Sequence, residues 1–315
     1  MKPFKFGLAC LACILGLSIS APSGAQTLEL EPIGAGYLTL PVMIDGQGPY
    51  RFVFDTGASH TAIAEPVATA LGFVSVWSDY DDIQSLTRVF TAERFELSRM
   101  QIGDLDPIDI NAVVVPVAPE NPLVIAGLIG SDAIGPQGYQ IDFARGVLNL
   151  DLHEARFADG LYDPERRLLY GAARIAGQRE PVRVFIDSGS PYTIVNQAFR
   201  ESPRRGAGVN MRYGIFGVDD EEEEDGVDAR PLRRVQFGGV CWGVATAIKA
   251  ELDIFTALGW EDVPAMVMGM DMLSAGILTV DRESGFFDFE PATPEAACDH
   301  DRRIRYTDLR LRDPA

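Results

Sequence analysis

The sequence predicts an all-β chain made of two related halves. Three observations carry that expectation: strand-like alternation through most of the chain, an aspartate-centred turn motif that occurs twice, and the same order of residues around each copy. Helices are expected to be few and brief.

Taken in order, the chain opens with Lys2 and Lys5 before an apolar stretch from Phe6 to about Ile19, then the small residues Ser23-Gly24-Ala25. This is the pattern of a secretory signal peptide over residues 1–25. The stretch is shorter than the ~20 residues a spanning helix needs, and Cys10 and Cys13 lie too early within it for a lipid-modified leader. A first half follows over 26–155. Tyr37 to Ile44 alternates, Asp45-Gly46-Gln47-Gly48 supplies turn chemistry, and Arg51-Phe52-Val53-Phe54 runs straight into Asp55. A hairpin thus delivers that aspartate to a loop. Ile110 to Val117, Gln140 to Phe143 and Gly146 to Leu150 are further strands, and Glu65 to Leu71 is a short helix. Residues 156–164, with Asp159-Gly160 and Asp163-Pro164, are expected to link the halves.

The second half, 165–290, repeats the scheme. Ala173 to Ile175, a turn at Ala176-Gly177-Gln178 and Val182 to Ile186 lead to Asp187. Strands are expected at Val235 to Phe237, Leu278 to Val280 and Phe286 to Phe289, with helices at Asn196 to Glu201 and Glu251 to Leu258. Residues 291–315 form a tail whose basic part, Arg302 to Arg312, either completes a sheet between the halves or stays outside it.

The duplication rests on matched offsets. Asp55-Thr56-Gly57-Ala58 answers Asp187-Ser188-Gly189-Ser190. Pro49 and Pro181 lie six residues before their aspartates, Arg51 and Arg183 four before, and Thr61 and Thr193 six after. Leu128-Ile129-Gly130-Ser131-Asp132 answers Val267-Met268-Gly269-Met270-Asp271. Asp142 and Asp281 each follow ten residues on, with Gly146 and Gly285 four beyond. Asp55 to Asp132 spans 77 residues and Asp187 to Asp271 spans 84. The extra length coincides with the acidic run Asp219 to Asp225, read as a solvated surface insertion.

Without the leader, 25 basic residues face 46 acidic ones over 290 positions. Two domains of ordinary size fit that length. The strong negative charge repels phosphate backbones and anionic lipid, so neither nucleic acid nor stable membrane insertion is expected. Cys241 and Cys298 remain after leader removal; in an oxidising compartment they either pair or stay as buried thiols. His60, His153 and His300 form no His-Glu-x-x-His pattern, no Gly-x-Ser-x-Gly turn occurs, and Gly34-Ala35-Gly36 lacks the context of a dinucleotide site. No metal or cofactor is expected.

Twin carboxylates on twin turns suit acid and base work. Thr56 and Ser188 carry hydroxyls able to bond across to the opposite loop, while Gly57 and Gly189 let the backbone turn tightly. If the halves pack face to face, Asp55 and Asp187 come too close to ionise together. One proton is then shared, and identical side chains become a general base and a general acid.

At these residues the chain resembles the retropepsin-like aspartic proteases. Asp55-Thr56-Gly57-Ala58 is similar to the family's catalytic turn, Asp187-Ser188-Gly189-Ser190 to its common variant, and Leu128 to Gly130 and Val267 to Gly269 to the strands beneath. The resemblance implies a bilobal fold of two pseudo-symmetric β-barrel lobes and a cleft overhung by a flap. It also implies an endopeptidase with Asp55 and Asp187 catalytic, Thr56, Gly57, Ala58, Ser188, Gly189 and Ser190 supporting them, no cofactor, and a peptide or protein substrate. Flap or cleft candidates, counted by retroviral spacing, are Trp77, Tyr80 and Tyr213. Both copies lie in one chain, so a monomer is expected, exported to the periplasm or the outside medium. Ala58 stands where many pepsins place a hydroxyl donor to the carboxylate, which leads to an expected optimum less acidic than theirs. His60 is expected to line the cleft, to modulate the dyad or to be a plain surface or packing residue, and Asp132 and Asp271 to be structural. The competing readings are an inactive peptide-binding protein of the same fold and a glycosidase with paired acids; the second gives no reason for the duplicated turns.

Overall fold

The computed structural model describes residues 26–34, 36–72, 80–116, 125–135, 138–150, 154–200, 209–211, 227–298 and 306. The first half holds β1 (Gln26–Glu29), β2 (Glu31–Ile33), β3 (Tyr37–Ile44), β4 (Gln47–Phe54), β5 (Ala62–Ala64), β6 (Tyr80–Gln84), β7 (Val89–Ile102), β8 (Ile108–Val115), β9 (Gly127–Ile129), β10 (Tyr139–Asp142) and β11 (Val147–Leu150), with helix α1 (Glu65–Ala70) after β5. The second holds β12 (Gly160–Asp163), β13 (Leu168–Ala173), β14 (Val182–Ile186), β15 (Ile194–Val195), β16 (Val209–Met211), β17 (Val227–Phe237), β18 (Val240–Lys249), β19 (Ala265–Met268), β20 (Gly276–Asp281) and β21 (Phe286–Pro291). Helices α2 (Asp253–Ala257) and α3 (Met270–Leu273) flank β19.

The two halves have the same strand order. In the first it runs β3-β4-β9-β5-β8-β7, and β3 also pairs with β7 to close the lobe. In the second it runs β13-β14-β19-β15-β18-β17, with a single bridge between Arg174 and Gln236 at the corresponding closure. Residues at the centre of this order are buried on both faces. Phe52, Val53 and Phe54 of β4 and all four residues of β19 are accordingly apolar and buried, because a central strand in a parallel pair has no solvent face.

A sheet joins the lobes. β1, β11 and β10 of the first half continue through the antiparallel pair β10–β20 into β21 and β12 of the second. One contiguous apolar core runs through both lobes, from Leu40, Phe52 and Ile63 to Val184, Phe237 and Phe287. A second cluster around Tyr170, Phe185 and Trp260 lies in the second lobe alone.

Two expectations change. Asn196 to Arg200 is a turn rather than a helix, because Asn196 is buried and its amide is engaged with the carbonyls of Trp260 and Val263 and the N–H of Ala265. The link between the halves is shorter than 156–164, since Gly160–Asp163 is strand β12, paired with β13 and β21. The preceding segment is held down by Asp288, which accepts the N–H groups of Arg156, Phe157 and Ala158. Apart from Tyr306, the basic tail lies outside the described residues, as do the leader and the acidic run. Cys241 of β18 and Cys298 form a disulfide that fastens the chain after β21 to the second lobe.

Candidate active site

Each aspartate arrives on the end of a buried strand and is fixed by the strand beside it. Asp55 follows β4 and its N–H donates to the carbonyl of Ile129 at 3.0 Å; Asp187 follows β14 and donates to Met268 at 3.1 Å. The glycine after each of those partners permits close passage under the loop. A Cβ at Gly130 would lie 2.4 Å from the His60 carbonyl carbon, and one at Gly269 2.4 Å from the Tyr192 oxygen. Asp132 and Asp271 belong to this support. Each accepts the hydroxyl of the matched threonine, Thr61 at 2.8 Å and Thr193 at 2.7 Å, and that hydroxyl in turn receives the N–H of Gly130 or Gly269.

The two loops then lock to one another. Thr56 N–H donates to Ser188 Oγ and Ser188 N–H to Thr56 Oγ1, at 2.9 and 3.0 Å. Each hydroxyl passes its own hydrogen onward, from Thr56 to the Ile186 carbonyl at 3.2 Å and from Ser188 to the Phe54 carbonyl at 2.7 Å. The N–H of Gly57 reaches Asp55 Oδ1 and that of Gly189 reaches Asp187 Oδ1, both at 2.8 Å. The carboxylates cross to the opposite glycines: a Cβ at Gly57 would sit 2.6 Å from the Asp187 carboxyl carbon, and one at Gly189 2.3 Å from Asp55 Oδ2. Only glycine leaves room there.

Asp55 and Asp187 are both buried and share a hydrogen bond. Burial raises the Asp187 carboxyl well above the usual range, and the charge of Asp55 and the shared bond raise it further, against the N–H groups of Gly189 and Ser190. Burial also raises Asp55, but the bond from Asp187 and the N–H groups of Gly57, Gly189 and Ala58 oppose it. Two buried carboxyls this close hold one proton between them, and the two titrate as a unit. Paired acid and base, held in one orientation at the floor of a cleft, can activate a water and protonate what it attacks.

Residues 40–133 match the family model described as aspartyl protease. The matched stretch carries the Asp55 loop and the Gly130 strand, and the second lobe repeats the same topology around Asp187. The described residues are mostly β-strand with short helices, consistent with an all-β aspartic protease fold. The comparison with curated proteins finds no match.

A cavity of about 530 Å³ opens above the dyad. Its roof is the β6–β7 hairpin, which contributes Ile83, Leu86 and Phe90, and its second-lobe wall includes Leu168, Phe185, Ile254 and Leu258. The tip is prefolded: Ser85 N–H and Oγ both donate to the Arg88 carbonyl, and Ser85 Oγ accepts the N–H groups of Thr87 and Arg88. From this tip Leu86 packs on the second-lobe cluster, and its carbonyl accepts the Ile254 N–H at 3.2 Å. The hairpin therefore closes over the dyad from the first lobe onto α2 of the second.

Of the aromatic flap candidates, Tyr80 stands at the base of this hairpin. It is exposed, its hydroxyl donates to Glu93 Oε1 at 2.9 Å, and it does not line the cavity. Trp77 and Tyr213 lie outside the described residues. His60 does line the cavity, with its Nδ1 bonded to Ser59 Oγ at 2.8 Å. Arg51 pairs with Glu31 on the surface and Arg183 lies over the Trp260 ring, so neither of these matched arginines is among the cavity residues. The expectation drawn from Ala58 loses its support at the matched residue: Ser190 is buried and its hydroxyl donates to the Tyr192 carbonyl at 2.8 Å, not to a carboxylate.

Sequence reasoning missed Tyr37. This buried phenol stands near the dyad; burial first, then the charges of Asp187 and Asp55, hold it neutral far into alkali. Its only signal was a place in an alternating strand. Among the described residues no group of three or more His, Cys, Asp or Glu could hold a metal ion, and no helix is long and apolar enough to cross a membrane.

Proposed function

We propose that the protein is an exported aspartic endopeptidase in which Asp55 and Asp187 activate a water molecule against a peptide carbonyl. The observation that carries this reading is the buried, mutually hydrogen-bonded pair at the floor of a roofed, largely apolar cavity. Charged Asp55 takes a proton from the water as its oxygen attacks the carbonyl carbon, while Asp187 gives its proton to the carbonyl oxygen. The tetrahedral diol then collapses. Asp55 delivers its proton to the amide nitrogen, one diol hydroxyl returns a proton to Asp187, and the C–N bond breaks to a carboxylic acid and an amine. The Thr56–Ser188 exchange keeps the carboxylates in place throughout, so little reorganisation is needed at the moment of reaction.

Export is supported by the leader-like pattern of residues 1–25 and by the Cys241–Cys298 disulfide, a bond that persists in oxidising compartments. A single copy supplies both aspartates, which supports action as a monomer on an unfolded stretch of protein or peptide. Incubating the purified protein with a mixed peptide library from acid to neutral pH tests the proposal. Pepstatin-sensitive cleavage that disappears in Asp55→Asn and Asp187→Asn is the expected result. Peptide binding without cleavage at any pH, equal in wild type and Asp55→Asn, would establish a binding protein of the same fold instead.

A further inference from the structure

The duplicated halves part company at one position below the dyad. Counted from the matched aspartates Asp142 and Asp281, the next residue is Phe143 in the first lobe and Arg282 in the second. Phe143 is buried in the core. Arg282 instead leaves its own lobe. One guanidinium nitrogen donates to the carbonyls of Ile134 and Gly135 at 2.9 and 2.8 Å, and the other to Ser131 O and Ser131 Oγ, both at 2.9 Å. Its guanidinium carbon also lies over the rings of Tyr139 and Tyr162, 5.7 and 5.2 Å from their centroids.

Three of those acceptors are backbone carbonyls and the fourth is the Ser131 hydroxyl; of the carbonyls, that of Ser131 matches Met270, which the second lobe satisfies by itself. There, Met270–Leu273 forms the helical turn α3, in which Leu273 and Ser274 donate back to Gly269 and Met270. The matched first-lobe segment, Ser131 to Ile134, is not helical, and Arg282 serves as its cap from across the lobe boundary. From this clamp two short routes reach Asp55. Ser131 N–H donates to the Ala58 carbonyl at 2.9 Å, and Ala58 N–H donates to the Asp55 carbonyl. By the second route, the Tyr139 ring meets Phe54 edge-on at 5.9 Å, and Phe54 directly precedes Asp55 and accepts the Ser188 hydroxyl.

We propose that Arg282 is a positioning residue for the dyad: by holding the Ser131–Gly135 turn and the Tyr139 ring, it sets the first-lobe loop where the Asp55 carboxylate meets Asp187. The proposal rests on the aspartic protease reading for its consequence in catalysis, not for its consequence in geometry. A planar fork is required, because two nitrogens engage four oxygens while the guanidinium carbon lies over two rings. Tyr37 stands beside the dyad and the cavity is also lined by the ionisable His60, Asp81, Asp82, Glu165, Arg166 and Arg167; Arg282's hydrogen bonds and ring contacts go to none of them, so a change in the dyad reports the clamp.

The test titrates the aspartate carboxyls by carbon-13 NMR in the full protein, wild type against Arg282→Ala and Arg282→Lys, with thermal unfolding recorded for each. A folded Arg282→Ala protein is expected to show the two coupled steps of Asp55 and Asp187 moved by half a pH unit or more. Arg282→Lys, which keeps the charge without the fork, should also move them measurably, though by less than Arg282→Ala. With a cleaved peptide from the library, kcat should fall at least tenfold in Arg282→Ala while KM changes less than threefold. If Arg282→Ala does not fold, Arg282→Lys alone decides the matter. A folded variant with the dyad's titration unchanged overturns the proposal. Wild-type protein that shows the coupled titration but cleaves nothing overturns the protease reading and leaves the positioning role to be decided by the titration.

Discussion

Thr56 and Ser188 exchange hydrogen bonds across the lobe boundary in both directions, each backbone N–H donating to the other's hydroxyl and each hydroxyl donating to a carbonyl of the opposite strand. Four buried backbone groups are thereby satisfied by two side chains. Thr56→Ala or Ser188→Ala leaves one N–H and one carbonyl without partners in a closed interior. Each substitution should cost about 1–3 kcal/mol per stranded group, measured by urea unfolding, whereas Thr56→Ser keeps the hydroxyl and most of the stability.

Gly57 and Gly189 face the opposite carboxylates at distances no Cβ tolerates, 2.6 Å to the Asp187 carboxyl carbon and 2.3 Å to Asp55 Oδ2. Gly57→Ala and Gly189→Ala should therefore fold but push the dyad apart. A displacement on the order of 1 Å at reacting groups costs roughly 100-fold in rate, and kcat on a cleaved peptide should drop by that order with circular dichroism unchanged.

The raised Asp187 carboxyl makes a signed prediction for stability. The folded state holds this proton to higher pH than the unfolded chain does, so stability is full below the unfolded aspartate value and is lost as pH rises through the folded one. Asp187→Asn never ionises and escapes that loss. Its Tm should exceed that of wild type near neutral pH, and the difference should close as pH falls below the usual aspartate range. A Tm advantage that stays constant with pH would show that the charge is not its source.

Ala58→Ser tests the role of a hydroxyl beside the dyad. In the matched loop the Ser190 hydroxyl is committed to the Tyr192 carbonyl, and the matched serine would have the His60 carbonyl within the same turn. The acid limb of the pH–rate profile should stay where it is in wild type. A downward movement would show that the hydroxyl reaches the carboxylate after all.

Much of this architecture was legible in the sequence because duplication writes the same constraint twice. The hairpins ending in Asp55 and Asp187, the glycine two residues on, and the strands at Leu128 to Gly130 and Val267 to Gly269 recur at matched offsets. Each corresponds to a close contact that tolerates few residue types. Retroviral spacing gives Trp77, outside the described residues, and Tyr80, at the hairpin base, as flap candidates, whereas the tip over the dyad is Ser85 to Arg88 with Leu86. Hairpin tips carry little periodic signal, and a lone leucine in a polar turn looks like surface. Asn196 defeated the helix expectation because its partners lie about 65 residues away, beyond any local pattern.

Local chemistry in the chain determined the strands, the twin aspartate turns and the hydroxyl and glycine that follow each, since these depend on backbone conformation and neighbours a few residues off. Tertiary structure alone decided that Asp55 lies against Gly189 and Asp187 against Gly57, that Cys241 joins Cys298, and that Leu86 closes onto Ile254. It also decided that Arg282 serves the lobe it does not belong to. These relations span tens to more than a hundred residues, and their energies come from burial and from hydrogen bonds that exist only once the two lobes have met.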